Sequence, residues 1–405
     1  MIDINEALLE ERLTALEAAQ TWSPRVVSRL EVLIRSGDDY SLFRINPLRY
    51  ATEQGVDDSE AIDLFLQAAT VGLFEMEWLI VCGACANVFS SFRKLENLDP
   101  HFVCSLCSME NEADLDDYIQ VAFTISPQLR PIVFHEPSLL DVDDLYFRYQ
   151  LSGEVKPLSS GLTVPEVLRE WTRLLTYLDP GESTNLELDL SEGVLGIVDV
   201  LNTTSAMYVV QPSAEAEETA LDLEIVDGKL VDPAGTGLAP FNLEFREGAS
   251  FYADRDDQTN PDGDADGDDS SPRSMLFTFS AAAQIPAGHL SISVNNATTK
   301  RASVWVIEYP PVPEEAAFVD FRPVLSAKRL LSNQTFRRLF RSETVPVSES
   351  LKIKDLTFLF SDLKDSTLMY ELIGDVSAYD IVRRHFDALV QSVTDNSGAL
   401  VKTIG

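Results

Sequence analysis

"CGACANVFSSFRKLENLDPHFVCSLC", Cys82–Cys107, holds all four cysteines of the chain in two C-x2-C pairs separated by eighteen residues. Each pair presents two thiols from one tight turn, and a hairpin between them brings four soft ligands into the tetrahedron that zinc prefers. Four unrelated buried thiols would need no such pairing. Cys82, Cys85, Cys104 and Cys107 are therefore read as ligands of a structural Zn2+ in a zinc ribbon spanning residues 76–135. A four-thiolate site is closed and leaves no position for substrate. Isolated finger peptides gain about 10–16 kcal/mol from the ion, enough to stand in for a small core. His101, beside the second pair, reads as a surface histidine. Cysteines confined to one cluster suit a reducing compartment, so a cytoplasmic chain is expected.

Upstream the periodicity is helical. "EALLEERLTALEAAQ" and "PRVVSRLEVLIRS" repeat apolar residues at three- and four-residue spacing. In "NPLRYATEQGVDDSEAIDLFLQAATVGLFEMEW", Pro47 marks a helix start, Gly55 a break, and Asp57 or Asp58 an N-cap. Helix, tight turn, helix, then a strand entering at Trp78 predict a winged-helix-like region over residues 1–75. Its second helix opens "DDSEAID", whose carboxylates would face DNA phosphates, so the pair is read as structural.

Downstream, past a connecting segment at 136–183, the period becomes two. "NLELDL", "VLGIVDVL", "AMYVV", "LDLEIV", "MLFTFS", "LSISV" and "SVWVIEY" predict an antiparallel β-sandwich over 184–312. The Asn-x-Thr sequons at Asn202 and Asn296 carry no meaning in a chain that is not secreted. An acidic insertion, "DRDDQTNPDGDADGDDSS" at 254–271, interrupts the sandwich. Asp262, Asp264, Asp266 and Gly267 match the first half of a calcium loop, but Arg273 stands where the bidentate Glu belongs. The insertion is read as acidic surface, with a weak Ca2+ site as the alternative. Connector and linker follow at 313–350. In "SAKRLLSNQTFRRLF", Leu330, Leu331, Leu339 and Phe340 form an apolar stripe beside Arg337, Arg338 and Arg341. The simplest reading is a helix docking on an acidic neighbour; the alternative is an autonomous phosphate site.

The chain of 405 residues carries a formal charge of -35, with globular proportions of apolar (45%) and charged (24%) residues. Such length requires several units with separate cores. Such a field repels phosphate backbones and anionic headgroups, which argues against nucleic-acid and membrane partners. No run of about 18 apolar residues occurs that could span a bilayer. The acidic start "MIDINEALLEERL" is unlike a signal peptide.

"LTFLFSDLKDSTLMYELIGD", Leu356–Asp375, poses the chemical question. "LTFLF" reads as a buried strand, with Asp362 at the hand-over to a helix opened by Ser366 and Thr367. Free N–H groups at a helix start hold phosphate oxygens, and a carboxylate beside them suits magnesium on a nucleotide. N-capping is the plainer role for such an aspartate. A long helix follows Gly374, and "ALVKTI" reads as a second strand.

The segment "FLFSDLKDSTLMYELIGDVSAYDIVRRHFDALVQSVTDNSGALVKTIG" resembles the opening of a class III adenylate/guanylate cyclase catalytic domain. F-x-D-[LI]-x-x-S-T, a Gly-Asp before a long helix and [VI]-K-T-I-G carry the match. The upstream "NPLRYA", paired C-x2-C and "KRLL…FRRLF" patterns are similar to the region that precedes some bacterial cyclase domains. The resemblance implies attack of the ribose 3′-oxygen of ATP on its α-phosphorus, yielding cyclic AMP and pyrophosphate with two Mg2+ or Mn2+ ions. It implies Asp362 as a metal carboxylate, the Leu363 carbonyl as a metal contact, and Asp365, Ser366 and Thr367 against the phosphates. Lys402 would read the adenine ring, favouring ATP over GTP. The catalytic residues, Asp362 and Lys402, would meet across a homodimer formed through the cyclase domain. In the family a second metal aspartate follows the Gly of K-T-I-G; here that Gly is Gly405, the last residue, so a fragment inactive on its own is expected.

The resulting expectation is a multidomain α+β protein. A winged-helix-like region with a zinc ribbon leads to an antiparallel sandwich, then to the start of a ferredoxin-like cyclase domain at 351–405. The competing function is a zinc-containing sensor or interaction module with a catalytically silent cyclase remnant.

Overall fold

The computed structural model describes residues 4–82, 85–92, 101–104, 106, 110–112, 119–157, 161–202, 204–213, 217–235, 241–242, 273–274, 283–311, 318–340, 357, 359–395 and 398–401. Helix α1 (Glu6–Ala19) starts at Asn5, whose side chain accepts from the Leu8 N–H, and buries Leu9, Leu13 and Leu16 on one face. Helix α2 (Val26–Ser36) buries Val26, Leu30 and Ile34 at the same spacing. Helix α3 (Pro47–Gln54) begins after Asn46, which accepts from the Leu48 N–H, and ends at Gly55 with φ +61°. That left-handed conformation is what glycine adopts without cost. Asp57 accepts from the Ser59 and Glu60 N–H groups and starts α4 (Asp58–Thr70).

Strand β1 (Phe74–Val81) follows, beginning four residues ahead of the expected entry at Trp78, because Gly72 at φ +83° turns the chain directly off α4. It is the centre of a sheet ordered β2 (Val88–Phe92), β1, β5 (Ile119–Ile125). Between β2 and β5 lies a two-stranded hairpin, β3 (His101–Val103) with β4 (Glu110–Glu112). Cys82 directly follows β1, Cys85 precedes β2, and Cys104 directly follows β3. A short α5 (Val142–Asp144) runs into a π-helical turn, Leu145–Gln150, and then to β6 (Val155–Pro157) and α6 (Val164–Glu170).

Two larger sheets follow. The strands are β7 (Thr172–Leu178), β8 (Ser183–Leu190), β9 (Gly193–Asp199), β10 (Thr204–Gln211), β11 (Glu217–Val226), β12 (Lys229–Val231), β13 (Phe241–Asn242), β14 (Arg273–Ser274), β15 (Ala283–Pro286), β16 (Gly288–Asn296), β17 (Ala302–Tyr309) and β18 (Phe318–Phe321). One sheet runs β13-β10-β9-β17-β7, with β15 also on β10; the other runs β12-β11-β16-β8. Leu195, Ile197 and Tyr208 of the first share a buried cluster with Leu223, Ile225, Ile292 and Val294 of the second. The expectation of purely antiparallel pairing is corrected here: β11 with β16, and β10 with β15, are parallel. Alternation reports which face is buried, not strand direction. The long excursion from Val226 to Gly288 allows the crossover that parallel strands require. Small strands β14, β18 and β6 form a separate sheet.

The expected single connector helix is two: α7 (Ala327–Leu331) and α8 (Gln334–Leu339), restarted by Asn333, whose side chain accepts from the Phe336 N–H. Leu330 and Phe336 enter the same core as α1–α4 and β1, with Leu331, Leu339 and Phe340 packed at its edge. The neighbour is acidic α4, as expected from the basic turn: Arg329 pairs with Asp58 at 3.1 Å, and Asn333 donates to Asp63.

Helices α9 (Ser366–Ile373) and α10 (Asp375–Asp395) are the last described elements. The strands expected at "LTFLF" and "ALVKTI" are absent among the described residues there. Leu359 and Phe360 are 73% and 89% exposed. A strand is stabilised by ladder partners and a covered face, and no described strand lies beside these residues.

Candidate functional site

The Cys82–Cys85 turn is closed by its own backbone. The Ala86 N–H donates to the Cys82 carbonyl at 3.0 Å, and the Cys82 N–H to the Asn87 carbonyl at 2.8 Å. Ala86 holds φ +63°, a left-handed conformation that costs a non-glycine residue strain. Cys82, Cys85 and Cys104 are all buried, and their sulfurs lie within 4.8 Å of one another. The Cys85 and Cys104 sulfurs are 3.5 Å apart. A disulfide would hold them about 2.05 Å apart, whereas two thiolates about 2.3 Å from one zinc in a tetrahedron lie about 3.8 Å apart. The spacing therefore suits a shared ion.

The sulfurs also have the polar support that metal-bound thiolates use. The Leu106 N–H and the Asn87 side-chain amide each point to the Cys104 sulfur at 3.4 Å. Asn87 is itself buried, and its carbonyl oxygen accepts from Gln150 at 2.7 Å. This outer layer was not visible in the Cys spacing; the π-helical turn that supplies Gln150 is sixty-three residues away in sequence. The fourth expected ligand, Cys107, lies outside the described residues, as do Asp262, Asp264, Asp266 and Lys402.

Asp362 is exposed, and its Oδ1 accepts from the Leu363 N–H at 2.9 Å. Three residues on, Asp365 takes the N-cap position of α9 at φ +56° and makes no side-chain cap bond. The plainer role read for Asp362, N-capping, is not seen: the N-cap position of α9 belongs to Asp365, and Asp362 accepts from the N–H of its neighbour Leu363. Ser366 and Thr367 form the first turn of α9, and that turn's N–H groups are without a side-chain cap. Asp362, Leu363, Asp365, Ser366 and Thr367 are together at one accessible helix start, whereas Cys82, Cys85 and Cys104 are buried in the central core. A carboxylate trio at Asp141, Asp143 and Asp144 is accounted for by ion pairs to Arg169 and Arg148 and by capping of α5.

Among the described residues, no helix is long and apolar enough to cross a membrane. A family described as one of unknown function, DUF5939, matches residues 9–244. No curated protein and no solved structure matches.

Proposed function

We propose that this chain, which belongs to the DUF5939 family, is the regulatory region of a cytoplasmic class III adenylate cyclase together with catalytic-domain residues at 351–405. The observation that carries the reading is the exposed Asp362 placed just ahead of an uncapped helix start at Ser366 and Thr367. That juxtaposition supplies a carboxylate for a hard cation and N–H donors for phosphate oxygens from neighbouring backbone. Asp362 and the Leu363 carbonyl would hold Mg2+ or Mn2+, which would supply charge neutralisation on the triphosphate of ATP. The first turn of α9 would orient the phosphates, and Lys402 would donate to the adenine ring. A homodimer would bring Asp362 of one copy to Lys402 of the other.

In the same reading, Cys82, Cys85 and Cys104, joined by Cys107, hold a structural Zn2+ in a zinc ribbon beside a winged-helix-like region. The sulfur spacing supports it, and none of the described cysteines is in a disulfide. A nucleic-acid role is disfavoured by the charge and by α7 and the cap of α8, whose Arg329 and Asn333 engage Asp58 and Asp63 of α4. The test is cyclic AMP formation from ATP by the full gene product with Mg2+ or Mn2+. Asp362→Ala should reduce it at least a hundredfold; unchanged turnover removes the assignment.

The second reading is a zinc-containing sensor module with a silent cyclase segment. The buried cluster of Cys82, Cys85 and Cys104 favours it, because a closed site stabilises a module without taking part in turnover. It is selected if the full gene product makes no cyclic nucleotide from ATP or GTP.

A further inference from the structure

The π-helical turn Leu145–Gln150 touches the cysteine cluster at one end and the paired sheets at the other. A π-turn spaces its backbone bonds five residues apart, a rare geometry found mostly at functional positions. Here the Leu151 N–H donates to the Tyr146 carbonyl at 3.1 Å and closes it.

Three successive residues at its C-terminal end reach the cysteine turn. Gln150 donates to the Asn87 side-chain oxygen at 2.7 Å, and the Asn87 amide donates to the Cys104 sulfur at 3.4 Å. Leu151 forms an antiparallel bridge with Asn87, and the Ser152 N–H donates to the Ala86 carbonyl at 2.8 Å. Asn87 is fully buried, so its polar atoms depend on such partners. The N-terminal end grips the sheets. The Tyr146 hydroxyl donates to the Ser303 carbonyl at 2.6 Å and accepts from the Val200 N–H at 3.2 Å. The rings of Tyr146 and Phe147 lie 4.9 and 5.6 Å from that of Trp305. Ser303 and Trp305 belong to β17, which sits between β9 and β7.

Both grips depend on one backbone register. Tightened to α-helical bonding, the turn would rotate Gln150 relative to Tyr146, and Asn87 and β17 could not both keep their partners. A bound ion would pin the three sulfurs in one arrangement, and the Asn87–Gln150 bond would carry that order into the turn.

We propose that zinc occupancy of the cysteine cluster and the seating of Tyr146 on β17 are coupled through this turn, which makes it a zinc-responsive joint. The inference rests on the zinc reading of the cluster and not on the cyclase reading. Linkage makes the coupling reciprocal: zinc tightens the seat on β17, and loosening that seat weakens zinc binding.

The test begins with the zinc content of the purified chain. A chain that takes up no zinc ends the zinc reading and the coupling together. In a chain that binds it, zinc affinity is measured by competition with a chromophoric chelator. Gln150→Met, which keeps the length and removes the donor, should weaken zinc at least about tenfold. Tyr146→Phe removes a hydroxyl that bonds only atoms of the paired sheets, and should still weaken zinc at least about fivefold. Ile292→Val, in the cluster between the two sheets, should leave the affinity unchanged. Hydrogen exchange on the unmutated chain needs no variant. Stripping the ion with a chelator should speed exchange at 302–306 at least about fivefold, while 290–294 stays as slow as before. Unchanged zinc affinity in Tyr146→Phe, even with Gln150→Met weakened, overturns the coupling and leaves the zinc reading standing. Exchange at 302–306 that ignores the ion, or that speeds no more than at 290–294, also overturns it.

Discussion

Tyr146 joins the helical half of the molecule to the paired sheets through one hydroxyl. It donates to the Ser303 carbonyl at 2.6 Å, accepts from the Val200 N–H at 3.2 Å, and its ring lies 4.9 Å from that of Trp305. Complete burial pushes the phenol far above its ordinary range, so it stays a neutral donor. Tyr146→Phe should cost about 1–3 kcal/mol, because both backbone partners remain buried and unpaired; an unchanged urea midpoint would refute this. On the outer surface, the carboxylates of Asp189 and Glu187 hold the His289 imidazole above its ordinary pKa, Asp189 contributing most. The raised value means the pair's contribution is complete below the unfolded pKa and fades as pH rises through the folded one. An NMR titration should place the His289 midpoint above the ordinary histidine value, and Asp189→Asn should lower it. Positions set by their immediate neighbours, such as the helix start at Pro47, the break at Gly55 and the cap at Asp57, were legible in the sequence. Tyr146 and Glu154 were not, because their partners come from distant parts of the chain and no local pattern encodes them.

Among the elements, α8 is the clearest case of a short helix held by packing rather than propensity. Phe336 is 2% exposed, meets Trp78 edge-on at 6.0 Å and stacks on Phe340 at 5.2 Å. Burial raises the Asp63 carboxyl above its ordinary value, while Thr335 and Asn333 donate to it and Arg338 lies near. Phe336→Ala should cost about 3–5 kcal/mol and speed hydrogen exchange across 327–340 while leaving β9 and β17 protected. Uniform exchange in the variant would contradict separate docking. The basic turn and apolar stripe announced this helix, although Phe336, its deepest anchor, went unnoticed just ahead of Arg337 and Arg338. Sheet direction was less legible: alternation in "LDLEIV" and "LSISV" gave buried faces, but the parallel register of β11 on β16 is set by a distant crossover. At "LTFLF", apolar composition suggested a strand, and among the described residues no ladder partner lies beside it.

At the scale of the whole molecule, two terms outweigh single contacts. The first is the cysteine cluster, whose spacing made the metal site legible while its amide support was hidden. Elemental analysis should find about one zinc per chain, lost in Cys104→Ser. Chelation should lower the melting temperature by about 10 °C, which requires only about 4 kcal/mol in a domain of this class; no shift would mean the thiols stand alone. The second is self-repulsion from a charge of -35. Melting temperature should rise between about 10 mM and 150 mM salt as the Debye length falls from about 30 to 8 Å. A falling temperature would show that ion pairs such as Arg49–Glu154 dominate instead.

The seat of α8 on α4 also sets terms for outsiders. A tethered segment presents itself to its seat at an effective concentration in the millimolar range. A free competitor at micromolar concentration would need about a thousandfold greater intrinsic affinity to take that seat. The acidic flank of α4 is thus rationed by the chain's own connector, and any visitor that succeeds must set Phe336 loose.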